Sequence, residues 1–111
     1  MSDLIKKHCK GCEGSVSPLS RVETENYLKQ LDGWDLNPQN TEIQVTYAFK
    51  NYYHVMAFVN ALAYISHKEN HHPELEMSYN RCIVRYTTHA IGGLSENDFI
   101  CAAKADNLIS N

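Results

Sequence analysis

The sequence has no long apolar run and no strong excess of one charge. Its 111 residues include 10 Lys and Arg against 13 Asp and Glu, which gives a net charge of -3. That balance lacks the basic footprint of a nucleic-acid-binding domain. No stretch approaches the roughly 20 apolar residues of a membrane span, and the N-terminal residues lack the apolar core of a signal peptide. We therefore expect a cytoplasmic protein that binds neither nucleic acid nor membrane.

Cysteine is also scarce, with four residues in the chain. Because no secretory signal accompanies them, reduced thiols are favoured over a disulfide framework. Cys82 and Cys101 lie within apolar patterns, which predicts that both are buried. Nucleophilic catalysis by either thiol is therefore disfavoured.

The chain divides into an N-terminal arm and one domain. Residues 1–19 are polar and include Gly11, Gly14 and Pro18, which predicts a loosely held arm. Residues 20–111 have the length of a single domain. The whole chain is 43% hydrophobic and 21% charged, which argues against disorder. We expect one core and one site.

Hydrophobic periodicity predicts seven elements in the domain. A capping box at Ser20 predicts a helix to about Leu31, and i, i+3, i+4 spacing predicts a long helix from Asn51 to about Asn70. A last helix opens near Ser95. Two hairpins show alternating patterns, formed by Ile43, Val45, Tyr47 and Phe49 in the first and by Leu75, Met77, Tyr79, Cys82, Val84, Tyr86 and Thr88 in the second. The order α-β-β-α-β-β-α predicts an α+β fold with a four-stranded antiparallel sheet and helices packed on one face.

The long helix carries a second apolar stripe, formed by Phe58, Ala61 and Ile65. With the first stripe, it makes the apolar surface wider than packing on one sheet face requires. We expect a partner subunit to cover it, and a second copy of the chain is the simplest partner.

Histidines are concentrated in one part of the chain, with four of the six between positions 67 and 89. His71 and His72 follow the long helix, which Pro73 prevents from continuing, and His89 follows the last strand. The two ends can lie together in an antiparallel layout. We expect His71, His72 and His89 to form one acid–base site, because imidazole titrates near neutral pH.

Zinc binding is the main competing chemistry. His67 and His71 have the i, i+4 spacing of a zinc-binding helix, but Lys68 stands where a His-Glu-x-x-His motif has its glutamate. Residues 8–12 supply one histidine and two cysteines, His8, Cys9 and Cys12, which is half of a zinc knuckle. A small zinc-binding protein is therefore an alternative interpretation.

The histidines also belong to a longer pattern. It reads His67-x-x-x-His71-His72-Pro73, followed by Tyr79, His89 and Asp98. In spacing and identity this pattern resembles the signature of the pterin-4a-carbinolamine dehydratases. The resemblance extends to Leu-Asp-Gly-Trp at 31–34, Phe-Lys-Asn-Tyr at 49–52 and Gly-Leu-Ser-Glu-Asn-Asp-Phe at 93–99, and it covers about residues 20–107. The segment over 8–12 is similar to the longer bacterial members.

The resemblance implies a hydro-lyase reaction. Its substrate is 4a-hydroxytetrahydropterin, which loses water to give quinonoid dihydropterin during pterin recycling after aromatic amino-acid hydroxylation. Because the substrate already carries the oxidation, neither a metal nor a redox cofactor is expected. A positioned general acid or base contributes roughly 10²–10⁴-fold to such a step.

Roles for the histidines follow from the resemblance and from this chemistry. We expect His71 and His89 to form the acid–base pair, and His72 and Pro73 to bind and orient the substrate. Which imidazole protonates the leaving oxygen stays open. Many family members have an acid at the position of His67, and Glu69 or Glu74 are the candidates to replace it.

Other substrate contacts are expected around the three rings. Thr88 is a candidate to hydrogen-bond the pterin edge, and Trp34 or Tyr79 to line the ring-binding wall, with an aromatic core role equally open for both. Asp98 is better explained as a helix cap that steadies the loop after His89 than as a catalyst. The resemblance further implies a homodimer or homotetramer and offers, as an alternative function, a dimerisation cofactor for a transcription factor.

Overall fold

The structure, a computed structural model, describes residues 3–11 and 16–110. Its sheet is built from β1 (Asp35–Leu36), β2 (Ile43–Ala48), β3 (Glu74–Ser78) and β4 (Arg81–Tyr86). The strands are antiparallel and lie in the order β1-β2-β4-β3. Both predicted hairpins are therefore present, and the β2–β4 pair joins them.

One face of the sheet is buried. Alternate side chains of β2 and β4 lie opposite each other, with Ile43 against Tyr86, Val45 against Val84 and Tyr47 against Cys82. All six are at most 9% exposed, whereas the residues between them are exposed or half-buried. The predicted α+β fold with helices on one face of the sheet is confirmed.

Three helices accompany the sheet, α1 (Arg21–Leu28), α2 (Tyr52–Glu69) and α3 (Glu96–Ser110). Two short 3₁₀ turns, Leu4–Lys6 and His89–Ile91, lie before α1 and before α3. Apart from these turns, the element order is the predicted one. Within the described residues, no helix is both long enough and apolar enough to cross a membrane.

The capping box of α1 is present, since the Ser20 hydroxyl accepts from the Glu23 amide and the Glu23 carboxylate accepts from the Ser20 amide. The helix ends at Leu28 and not near Leu31. The amides of Gln30 and Leu31 bond carbonyls three residues back, at 2.9 and 3.1 Å. Such bonds tighten the last turn into 3₁₀ geometry, which ends the α-helix three residues early.

The expectation that a partner covers the stripe with Phe58 is wrong for that residue. Phe58 is 6% exposed, and its ring centroid lies 5.1 Å from that of Tyr47 and 5.3 Å from that of Phe49. The first hairpin therefore covers it within the chain. Ala61 and Ile65 are half-buried.

Residues 3–11 of the N-terminal arm are not loosely held. Leu4 is 2% exposed and belongs to the core, and the Lys104 ammonium donates to the Ile5 carbonyl at 2.8 Å. Burial of this apolar side chain offsets the entropy cost of ordering the segment. The polar composition of the arm did not indicate that one of its residues would be buried. Cys12 lies outside the described residues.

Candidate active site

A Schellman motif fixes the corner that follows α2. Asn70 has left-handed backbone angles, φ 52° and ψ 42°, and its amide donates to the His67 carbonyl at 3.3 Å. The His71 amide donates to the Ser66 carbonyl at 3.2 Å. These bonds satisfy the last carbonyls of the helix, and Pro73 prevents a new turn. His71 therefore leaves α2 in a fixed direction.

The imidazole of His71 is held by a carboxylate and an aromatic ring. Its Nε2 lies 2.6 Å from Oδ1 of Asp98, and its ring is stacked on Tyr86 at 5.8 Å with an interplanar angle of 8°. The His71 side chain is 12% exposed. Because an ionised carboxylate only accepts hydrogen bonds, the Nε2 atom carries the hydrogen. In the neutral ring, Nδ1 is then the proton acceptor.

Asp98 is fully buried and lies in the first turn of α3. Its second oxygen accepts from the Thr88 hydroxyl at 2.8 Å and from the Ser95 amide at 3.0 Å. The Ser95 bond is the predicted helix cap, and the Thr88 bond ties the cap to the segment before His89. With no exposed surface of its own, Asp98 can reach the substrate region only through His71.

Strand β4 ends at Tyr86, and His89 begins a 3₁₀ turn shortly after it. The Thr88 amide donates to the Gly93 carbonyl at 2.9 Å, and a longer bond of 3.5 Å returns from the Gly93 amide. Gly92 supplies the left-handed residue of this closed loop, with φ 68°, a conformation that glycine adopts without strain. The loop leaves the His89 side chain exposed.

The three predicted histidines line one cavity of about 550 Å³. Their neighbours in the wall include Thr87, Thr88 and Asn97 from the domain and Cys9, Lys10 and Gly11 from the arm. Small-molecule sites commonly have volumes of about 300–1,000 Å³. His67 is exposed on the last turn of α2 and is not part of the wall. The cavity therefore joins the end of α2, the loop after β4 and the arm.

Three of the expected substrate contacts lie elsewhere. Trp34 is 7% exposed, and its Nε1 donates to Asp106 at 3.0 Å. Tyr79 is 66% exposed at the turn between β3 and β4. Neither ring, nor Pro73, lines the cavity of its own chain. Trp34 is thus a core residue, and Pro73 acts by fixing the backbone beside His72.

Glu69 is the acidic residue in the cavity wall, and it is engaged by the arm. Its carboxylate accepts from the Cys9 amide at 2.7 Å and lies 2.9 Å from Nδ1 of His8. Burial by itself would raise the pKa of Glu69, but these bonds and the Lys104 charge lower it below its usual range. Glu74, the other candidate acid, is exposed on β3 and outside the wall.

The arm thiol meets a core thiol. Cys9 Sγ lies 3.5 Å from Cys101 Sγ, and Cys101 is fully buried, as is Cys82, so both core predictions are confirmed. The contact with Cys9, together with burial, raises the pKa of the Cys101 thiol. Across residues 3–11 and 16–110, no group of three or more His, Cys, Asp and Glu side chains is placed to hold a metal ion.

The sequence model described as Pterin 4 alpha carbinolamine dehydratase matches residues 17–108. The chain belongs to this family. A relative from Nitrosomonas eutropha, provisionally named as this dehydratase, is 60% identical over 108 residues, which are 96% of this chain and 94% of the relative. A relative of the same name from Legionella pneumophila is 50% identical over 109 residues, 97% of this chain and 96% of its own length. Membership implies a dehydratase.

Solved structures agree with this family assignment. The crystal structure of a transcriptional coactivator/pterin dehydratase from Brucella melitensis has a TM-score of 0.80 and 30% identity, and the match covers 83% of this chain and 98% of that one. A pterin dehydratase-like RuBisCO assembly factor of the alpha-carboxysome has a TM-score of 0.61 and 23% identity, which shows likeness of fold alone. The family match begins at residue 17, so residues 3–11 lie outside the matched dehydratase domain.

Spacing along the chain did not identify the arm as part of the cavity. Cys9 and Lys10 lie 60 and 87 positions from their partners Glu69 and Asn97, and no motif links them. The sequence does show that Glu69 lies close to His71 and that Asn97 precedes Asp98. It does not show that the arm contacts both residues, which only the folded structure reveals.

Proposed function

We propose that this chain dehydrates a 4a-hydroxytetrahydropterin by histidine acid–base catalysis. The observation that carries the proposal is the convergence of His71, His72 and His89 on one cavity, with His71 held on buried Asp98 at 2.6 Å. Cytoplasmic pterin recycling after aromatic amino-acid hydroxylation, and assembly as a homodimer or homotetramer, belong to the same proposal.

The reaction needs a base and an acid on the same substrate. As the bond between C4a and oxygen breaks, a ring nitrogen loses its proton and the new double bond forms. The leaving oxygen must gain a proton, so that water and not hydroxide departs. The oxidation state of the pterin skeleton is unchanged by loss of water, and therefore no electron acceptor takes part.

His71 suits the base. Its Nε2–H donates to Asp98, which keeps the lone pair of a neutral ring on Nδ1. When Nδ1 takes the substrate proton, the ring becomes positive, and the carboxylate at 2.6 Å stabilises that charge. Stacking on Tyr86 holds the ring plane during the transfer.

His89 suits the role of general acid. It is exposed and lines the cavity from the segment after β4, whereas His71 lies on the segment after α2. An exposed imidazole can regain its proton from water after each turnover. His72 follows His71 directly and also lines the cavity, so we assign it to substrate binding. The Thr88 hydroxyl is already bonded to Asp98. We therefore assign Thr88 to positioning the His71–Asp98 pair more than to binding the substrate.

Partner binding is the weaker proposal. It depended on an apolar stripe of α2 that includes Phe58, and Phe58 is covered by the chain's own first hairpin. The coactivator name belongs to the Brucella relative. The dehydratase is therefore the function that we propose.

Consumption of synthetic carbinolamine, followed by its absorbance, tests the proposal. We expect His71→Ala and His89→Ala each to lower kcat by roughly 10²–10⁴-fold, and His72→Ala to raise KM with a smaller effect on kcat. Asn60→Ala, an exposed change on α2, is the control and should keep the wild-type rate. Near wild-type turnover in both His71→Ala and His89→Ala would rule out the assignment.

A further inference from the structure

The N-terminal arm crosses the two segments that carry the His71–Asp98 pair. Glu69 precedes His71 by two residues and accepts from the Cys9 amide at 2.7 Å. Asn97 precedes Asp98 and pairs with both backbone groups of Lys10. Consecutive arm residues thus bond to the end of α2 and to the start of α3.

The Asn97 side chain makes the most specific of these contacts. Its Oδ1 accepts from the Lys10 amide at 3.0 Å, and its Nδ2 donates to the Lys10 carbonyl at 2.6 Å. Asn97 is 7% exposed, so both bonds are shielded from water and the loss of either is costly. The Cys9 thiol adds contacts with the Asn97 carbonyl at 3.7 Å and with Cys101 at 3.5 Å.

Electrostatic contacts with Glu69 hold the arm at the end of α2. The Glu69 carboxylate, whose side chain is 5% exposed, receives the Cys9 amide and the His8 ring, and Lys104 lies 3.9 Å away. A carboxylate this buried needs such donors. The arm supplies two of them, so its removal from this position would leave the buried carboxylate with only the more distant Lys104 charge, at a cost in free energy.

We propose that residues His8–Lys10 are a structural clamp of the active site, which holds the end of α2 against α3 and so keeps His71 on Asp98. Glu69 and Asn97 act in this clamp as positioning residues. Cys9, Lys10 and Gly11 also form one wall of the cavity. The inference rests on the proposed function for its effect on turnover, but not for its effect on the His71 ring.

Asn97→Ala in the full chain tests the clamp, with Asn60→Ala as the matched amide-to-alanine control. We expect kcat to fall roughly ten- to a hundredfold with a much smaller change in KM, because a misplacement of about 1 Å costs about 10²-fold. In substrate-free protein, ¹⁵N NMR of the His71 ring should report Nε2–H in wild type and in Asn97→Ala a shifted or averaged signal.

Glu69→Gln is the milder companion variant, because an amide oxygen still accepts from Cys9 while the charge toward His8 and Lys104 is lost. Its kcat should lie between those of Asn97→Ala and wild type. This variant also decides the matter if Asn97→Ala does not fold. An unchanged His71 ring signal in a folded clamp variant would overturn the proposal, as would an unchanged kcat beside a shifted ring signal. An inactive wild type would instead contradict the dehydratase function, and the NMR result would still judge the clamp.

Discussion

The carboxylate of Asp98 is fully buried and accepts hydrogen bonds from the His71 ring, the Thr88 hydroxyl and the Ser95 amide. All three partners donate, so an acceptor-only group fits and an amide does not. An asparagine with its oxygen toward His71 would set its NH₂ against the Ser95 amide, and the opposite orientation would force the His71 hydrogen from Nε2 to Nδ1, which removes the proton acceptor. The site therefore needs an ionised carboxylate here, in addition to a side chain of this shape.

Asp98→Asn should accordingly reduce both turnover and stability. We expect kcat to fall at least roughly tenfold, and the free energy of unfolding to fall by about 1–3 kcal/mol, the usual cost of an unsatisfied buried polar group. Steady-state kinetics and urea unfolding measure the two effects. Asp106→Asn is the control, since Asp106 is bonded to Trp34 and Tyr47 outside the cavity wall. It should lose stability and keep kcat. An equal kcat loss in both variants would contradict the special role of Asp98.

Glu69 gives a prediction about pH. Although burial opposes it, the bonds from Cys9 and His8 lower the pKa of Glu69 below its ordinary value of 4.5. A carboxyl with a lowered folded-state pKa contributes stability above its unfolded pKa, and this contribution is lost as pH falls through the folded pKa. The stability difference between wild type and Glu69→Gln should therefore be largest above about pH 4.5 and shrink in more acidic solution.

Urea unfolding across that range checks the sign. Glu25→Gln, an exposed change on α1, is the control and should have little effect at neutral pH, because exposed pairs and charges contribute little. A stability difference for Glu69→Gln that grows on acidification would show that the arm does not stabilise the charged form.

At the scale of elements, the end of α2 decides where His71 lies. Asn70 is a left-handed residue other than glycine, and its amide bond to His67 and the His71 bond to Ser66 complete the turn. Asparagine tolerates this conformation better than most residues. The left-handed backbone of Asn70 therefore has a defined energetic cost. Because Asn70 also lines the cavity, a change there acts on the site through both the backbone and the wall.

Asn70→Ala should cost up to about 1 kcal/mol of stability, a part of the left-handed penalty, because asparagine also carries a Cβ and is only better tolerated there; it should also lower kcat by moving His71. Asn70→Gly should be nearly neutral in stability, because glycine adopts the conformation freely. Urea unfolding and kinetics of the two variants make the comparison. A smaller stability loss for alanine than for glycine would contradict the assigned backbone geometry.

At the scale of the whole molecule, the element order could be predicted because periodicity changes between two and 3.6 along the chain. The alternating Ile43, Val45 and Tyr47 became the buried face of β2, and the long helix begins and ends within one residue of its predicted limits. The early end of α1 and of β4 could not be predicted, since both depend on hydrogen bonds of the following turn.

The site was predictable in part for the same reason. His71 and His72 follow a helix end and His89 follows a strand end, so antiparallel topology placed them in one cavity. The arm was misjudged, and Trp34 stayed open between the cavity wall and the core, because their positions depend on partners distant in sequence, such as Asp106 for Trp34. Local composition contains no information about such pairs.

The most direct measurement is the rate of carbinolamine dehydration, relative to the uncatalysed reaction, for wild type and for the double variant His71→Ala/His89→Ala, with Asn60→Ala as the control. Wild type and control should accelerate the reaction equally, and the folded double variant should lose roughly 10²-fold or more of that rate. No acceleration by wild type, or a wild-type rate in the double variant, would contradict histidine-catalysed dehydration by this chain.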